Sequence, residues 1–246
     1  MRRFALIGKS LRHSFSHKYF RKKFNDENIN DCKYINIEIG SIQNIKKIIK
    51  EYNLDGFNIT IPYKQEIIPL LDKISKTSRD TNSVNVVKIV DGKLYGFNTD
   101  IIGFKESIRP LLKGRRNALV LGNGGSSQSI QYVLKNLNIN FQVVSRNSNF
   151  DYTDISKDII SKTEIIINCT PIGMYPDNSY PIIPYNYLNM KHLLFDLVYN
   201  PKETQFLTFG KNKLSEIKNG HEMLKIQAEE SWNIWNSNKF CKFGVH

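Results

Sequence analysis

An α/β fold in two parts is predicted by three features of the sequence. Apolar runs of strand length alternate with stretches of helical period, Asp91-Gly92 sits between two strand-like runs, and a glycine-rich turn at 122–125 directly joins a strand to a helix. The length, 246 residues, accommodates one large domain or two modest ones. With 40% hydrophobic and 24% charged residues, 14 Gly and 8 Pro, the composition is that of an ordinary folded chain, which excludes disorder, collagen and coiled coil. No apolar run approaches the roughly 18 residues that cross a bilayer, and residues 4–7 are too short for the core of a secretory leader. A cytoplasmic location without a membrane partner is therefore expected. Cys32, Cys169 and Cys241 are odd in number and widely spaced, which indicates neither a disulfide framework nor a metal site. The net charge of +12 is the one unusual bulk value. Its Lys and Arg residues are dispersed, clustering only at Arg21-Lys22-Lys23 and Arg115-Arg116, so they read as solvated surface and no nucleic-acid partner is expected.

The elements follow in order. Residues 3–7 read as a short buried strand, 17–25 as a helix, and 34–39 as a strand in which Ile35, Ile37 and Ile39 alternate with Asn36 and Glu38. Ser41 caps a helix that lines up Ile42, Ile45, Ile48 and Ile49 and ends near Asn53, before Gly56 opens a further strand. This alternation favours parallel pairing. Residues 84–90 and 93–97 form a hairpin about Asp91-Gly92, so the sheet is expected to be mixed. A helical stretch at 100–112 gives way at Gly114 to a new strand, 118–121, and a helix with Ile130, Val133, Leu134 and Leu137 on one face. Strands at 141–145, 164–169 and 193–198 complete a small open sheet, and a last helix runs from 223 to 235. Residues 1–100 with 221–246 are expected to form one domain and 101–220 a second, with a cleft between them.

Gly122, Asn123, Gly124 and Gly125 stand where a dinucleotide fingerprint belongs. Gly122 permits the tight turn, Gly124 lets the backbone approach a pyrophosphate, and small Ser127 replaces the third glycine where helix and strand pack closely. Taken alone, such a turn is weak evidence, the alternative being an ordinary strand-to-helix connection. About 20 residues on, an NAD site would place an acidic residue at a strand end; Ser145, Arg146 and Asn147 stand there instead. A guanidinium without an acid favours the 2′-phosphate of NADP, the alternative being that Arg146 is a plain surface arginine. Ser14 and Ser16 precede a helix and could receive a carboxylate, although Ser16 alone reads as well as an N-cap. Lys64 follows a strand that begins at Gly56, while Asn85 and Asp100 bring an amide and a carboxylate to the edges of further elements.

Seven segments in one order resemble the shikimate dehydrogenase family. They are Ser14 and Ser16 in an HSxS turn, the run from Asn58 to Lys64, Val84-Asn85, Asn98-Thr99-Asp100, the run from Asn168 to Met174, the run from Asp196 to Pro201, and Met223-Leu224 with Gln227-Ala228. The resemblance spans nearly the whole chain. It implies an N-terminal mixed-sheet α/β substrate domain and a Rossmann-like NADP-binding domain, with reversible NADPH-dependent reduction of 3-dehydroshikimate to shikimate on the route to aromatic amino acids. Carried over by position, Lys64 and Asp100 form the catalytic pair, and Ser14, Ser16, Thr60, Asn85, Tyr199 and Gln227 hold the substrate. The cofactor falls to residues 122–125 and 145–147 with Thr170, Met174 and Gly220. No metal is implied, and the protein is expected as a monomer or homodimer. The pattern departs from the family at His17, Asn82-Ser83, Gln128, and the run Ser145-Arg146-Asn147-Ser148, which leaves Arg146 as the one basic group of that turn. A dehydrogenase acting on both quinate and shikimate is the alternative within the family. A non-catalytic nucleic-acid-binding protein is the alternative outside it.

Overall fold

The computed structural model describes residues 1–11, 14–146 and 148–237. The chain divides into two units, Met1–Ile102 with the segment from Leu224 onward, and Gly103–Met223. Asn147 and Cys241 lie outside the described residues.

The first unit runs β1 (Arg2–Gly8), α1 (Phe15–Asp26), β2 (Cys32–Glu38), α2 (Ile45–Tyr52), β3 (Gly56–Ile59), β4 (Lys73–Ile74), α3 (Lys76–Asp80), β5 (Val86–Val90) and β6 (Lys93–Phe97). Its six strands lie in the order β2-β1-β3-β5-β6-β4. β1 is parallel to both β2 and β3, whereas β5 is antiparallel to β3 and β6, which makes the sheet mixed. The hairpin turn has Asp91 at φ 49° and Gly92 at φ 74°, the left-handed pair whose twist matches that of the flanking strands.

The remaining elements are α4 (Asp100–Ile108), β7 (Asn117–Leu121), α5 (Gly125–Asn136), β8 (Asn140–Val144), α6 (Lys157–Lys162), β9 (Ile165–Asn168), β10 (Leu193–Asp196), α7 (Gln205–Asn212), β11 (Glu216–Asn219) and α8 (His221–Asn236). The second sheet, β11-β10-β9-β7-β8, is parallel throughout. Two of its interior strands, β9 and β10, are buried along their full length. Among the described residues no helix is long and apolar enough to cross a membrane.

Both faces of the first sheet are covered, because successive side chains of β1 point to opposite sides. Ala5 and Ile7 join Ile42, Ile45, Ile48, Phe57 and Ile59 on one face. Phe4 and Leu6 join Phe20, Phe24, Ile234 and Trp235 on the other. Trp235 fixes α8 to the sheet: its ring stacks on Phe4 with centroids 4.5 Å apart, and its Nε1 donates to the Val87 carbonyl at 3.0 Å. A fully buried aromatic anchor of this kind is worth about 3–5 kcal/mol against truncation to alanine.

Three differences from the sequence reading have local causes. α1 starts at Phe15, and its cap is Ser14, whose Oγ accepts from the His17 amide at 3.2 Å, so Ser16 lies within the first turn and is not the N-cap. Ser41 caps a 3-10 turn, Ile42–Asn44, and α2 follows at Ile45. β4, α3, α6, α7 and β11 carry too few apolar repeats for periodicity to mark them.

Candidate active site

Within the first unit, four of the candidate side chains form one bonded cluster. Lys64 lies in the turn segment after β3, with its carbonyl accepting from the Val84 amide at 2.9 Å. Its Nζ donates to Asp100 Oδ2 at 2.6 Å, and the two side chains are 14% and 4% exposed. Asp100 is the first residue of α4, where the helix dipole favours a carboxylate, and its amide donates to Asn98 Oδ1 at 3.1 Å. The second carboxylate oxygen accepts from Asn85 Nδ2 at 2.8 Å, and the same amide nitrogen donates to Gln227 Oε1 at 2.8 Å. Asn85 Oδ1 accepts from the Thr99 amide at 2.8 Å, which fixes which way the amide faces. An ammonium and a carboxylate so withdrawn from water interact strongly, and each needs these further hydrogen bonds to offset its lost hydration.

A buried polar layer underlies the cluster. The Tyr34 hydroxyl donates to Asn58 Oδ1 at 2.8 Å, and Asn58 Nδ2 donates to Ser231 Oγ at 3.0 Å and to the Asn85 carbonyl at 3.2 Å. Burial pushes the Tyr34 hydroxyl far above its usual titration range, partly countered by a hydrogen bond with Ser16, so it remains a donor. Gln227, Ser231 and Trp235 recur at four-residue intervals on one face of α8, so the anchor that seats the helix also sets Gln227. Sequence reading assigned no role to Tyr34, Asn58 or Ser231. The readable signal was a polar residue inside an otherwise apolar segment, as with Asn58 in the fully buried Gly56–Ile59 strand.

Of the other substrate candidates, Ser16 meets the buried layer through Tyr34, and the rest are placed apart from the cluster. Ser16 is buried on α1, Ser14 caps that helix, and half-buried Thr60 closes β3, its amide donating to the Ile7 carbonyl at 3.0 Å. Tyr199 belongs to the second unit and is half-buried in the segment after β10.

In the second unit, β7 ends at Leu121 and α5 begins at Gly125. Gly122 has φ +100°, and a Cβ there would lie 2.8 Å from the Thr170 methyl group, so only glycine fits. Among the described residues nothing lies within 4 Å of a Cβ placed on Gly124, and no side chain caps α5. This open backbone at the start of a 12-residue helix suits a pyrophosphate. Asn123 Oδ1 instead accepts from Gln128 Nε2 at 2.8 Å and Gln131 Nε2 at 3.3 Å. Ser127 is fully buried where α5 meets the sheet. Half-buried Ser145 and exposed Arg146 directly follow β8. Thr170 is held by Asn168, Met174 is 42% exposed, and Gly220 is buried with its amide donating to the Val198 carbonyl at 3.2 Å.

Comparison with known proteins identifies the relatives of the chain. Residues 6–87 match the family model described as the shikimate dehydrogenase substrate binding domain. A shikimate dehydrogenase (NADP(+)) of Methanococcus vannielii is 37% identical over 96% of this chain and 91% of its own. The solved structure of shikimate dehydrogenase 1 from Peptoclostridium difficile superposes with a TM-score of 0.88 at 32% identity, covering 97% of this chain and 93% of that one. A Thermus thermophilus shikimate 5-dehydrogenase, solved in complex with NADP(H) and shikimate, gives a TM-score of 0.85 at 26% identity, covering 96% and 93%. With identity and fold both maintained across almost its full length, the chain belongs to the shikimate dehydrogenase family.

Proposed function

We propose that this protein catalyses the reversible NADPH-dependent reduction of 3-dehydroshikimate to shikimate. The observation that carries the reading is the 2.6 Å contact between Lys64 Nζ and Asp100 Oδ2, with Asn85 and Gln227 bonded to the same cluster. Bound NADPH supplies the hydride. As the hydride reaches the ring carbon, negative charge develops on the carbonyl oxygen, and the Lys64 ammonium gives that oxygen a proton. In the oxidative direction the neutral amine takes the proton back from the ring hydroxyl. Asp100 holds the ammonium by one oxygen and is fixed by Asn85 through the other, so the acid is oriented before substrate arrives.

Ser14 and Ser16 receive the substrate carboxylate, while Thr60, Asn85, Tyr199 and Gln227 hold its hydroxyls and ring. The open turn at 122–125 takes the pyrophosphate, and Ser145, Arg146 and Asn147 take the 2′-phosphate, with Thr170, Met174 and Gly220 completing the cofactor contacts. The related Thermus thermophilus enzyme, solved with NADP(H) and shikimate, supports this choice of ligands. The test is an assay of purified protein that follows reduced nicotinamide formed from shikimate and NADP. Turnover on shikimate with NADP is expected. No turnover, or a preference for quinate with NAD, overturns the assignment.

A further inference from the structure

Asn168 and Asp196, at the carboxyl ends of the paired strands β9 and β10, have no part in the proton transfer above, yet both are fully buried. Every polar atom of Asn168's side chain is engaged. Its Oδ1 accepts from the Thr170 amide at 3.0 Å and the Thr170 hydroxyl at 2.6 Å. Its Nδ2 donates to Asp196 Oδ1 at 2.9 Å and to the Ile172 carbonyl at 3.3 Å. The segment after β9 is thus wrapped around one amide. Asp196 cannot yield, because its Oδ1 also accepts from the Val198 amide at 3.0 Å and its Oδ2 from the Thr204 hydroxyl at 2.6 Å. The Thr170 methyl group in turn lies against Gly122, at the glycine turn itself.

Strand order gives this arrangement a direction. β7, which leads into the glycine turn, has β8 on one side and β9 on the other. A dinucleotide whose pyrophosphate sits over that turn extends its two halves to opposite sides of β7. Arg146 follows β8, so that side receives the 2′-phosphoadenosine half and the Thr170 side receives the nicotinamide half. We propose that Asn168 is a positioning residue for the nicotinamide half of NADPH, acting through Thr170, with Asp196 locking its amide in place. The inference rests on the NADPH reading given above.

The test measures binding by calorimetry with two probes, NADPH and adenosine 2′,5′-bisphosphate, which lacks the nicotinamide half. In Asn168→Ala the NADPH Kd is expected to rise about five- to tenfold, the effect of one or two lost hydrogen bonds, while the bisphosphate Kd stays within twofold. Thr170→Val keeps the shape against Gly122 but removes the hydroxyl, and the double variant is expected to bind NADPH no more weakly than the weaker single variant. Should Asn168→Ala fail to fold, Asn168→Ser is measured in its place against the same expectations. An unchanged NADPH Kd, an equal loss for both probes, or additive effects of the two substitutions overturns the proposal. A wild type that binds neither probe overturns the NADPH reading as well, so the two failures are distinguishable.

Discussion

Replacing Asp196 with asparagine should change how stability depends on pH, by an amount that the burial of this carboxylate determines. The group is fully buried, and burial pushes its pKa up from 3.8 to about 6, although donors from Thr204, Val198 and Asn168 pull the other way. Between those two values the folded protein keeps a proton that the unfolded chain has lost. Stability therefore falls as pH rises through this window and levels off above about 6. At roughly 1.4 kcal/mol per pH unit, the cost at neutral pH is about 3 kcal/mol relative to strongly acidic solution. Asparagine carries no such charge and can still accept from Asn168 and Val198. Both tryptophans, Trp232 and Trp235, belong to the first unit, so urea unfolding is followed by far-ultraviolet circular dichroism, which reports on both units. Measured from pH 4 to pH 7.5, Asp196→Asn should gain about 2 kcal/mol on the wild type as pH rises, because part of the window lies below pH 4, with the contributions of all other groups cancelling in the difference. Parallel pH profiles, or a wild type that gains on the variant, would refute the reasoning and mean that the three donors outweigh burial.

Lys64→Ala is expected to lower turnover by orders of magnitude while substrate affinity changes less, because the lost ammonium acts on the developing oxygen charge; near-normal turnover in a steady-state assay removes it from the mechanism. Arg146→Ala should raise the KM for NADPH with little effect on that for shikimate, and an unchanged NADPH constant would mean that the phosphate is held elsewhere. Ser83 is fully buried, and among the described residues its Oγ is the one buried side-chain polar atom without a hydrogen-bond partner. Ser83→Ala should accordingly stabilise the first unit by about 1 kcal/mol in urea unfolding followed by tryptophan fluorescence, and a loss of stability would show that the hydroxyl is satisfied in solution.

Local chemistry was legible where it depends on neighbours in sequence. Asp91-Gly92 announced its turn because few residue pairs tolerate positive φ at both positions, and the isoleucine spacing on α2 announced which face is buried. The glycine turn at 122–125 was readable for the same reason, since a strand and a helix flank it. Even so, two hydroxyls two residues apart did not reveal which would cap α1. Backbone geometry chose Ser14 and left Ser16 in the first turn beside Tyr34.

The amino-acid sequence by itself determined the α/β class, the two-part organisation of strands and helices, and the absence of an NAD-type acid after the second strand of the glycine-turn unit. It also carried a resemblance that named Lys64 and Asp100 together, which no local spacing could do. Only the tertiary structure decided the order of the strands, the contact of those two side chains, the bond from Asn85 to Gln227 across 142 residues, and the Asn168–Asp196 pair. Turns and helical faces are set by short-range sterics and period. Meetings between distant polar groups arise only when both faces of a sheet are covered, and buried donors and acceptors must then find one another.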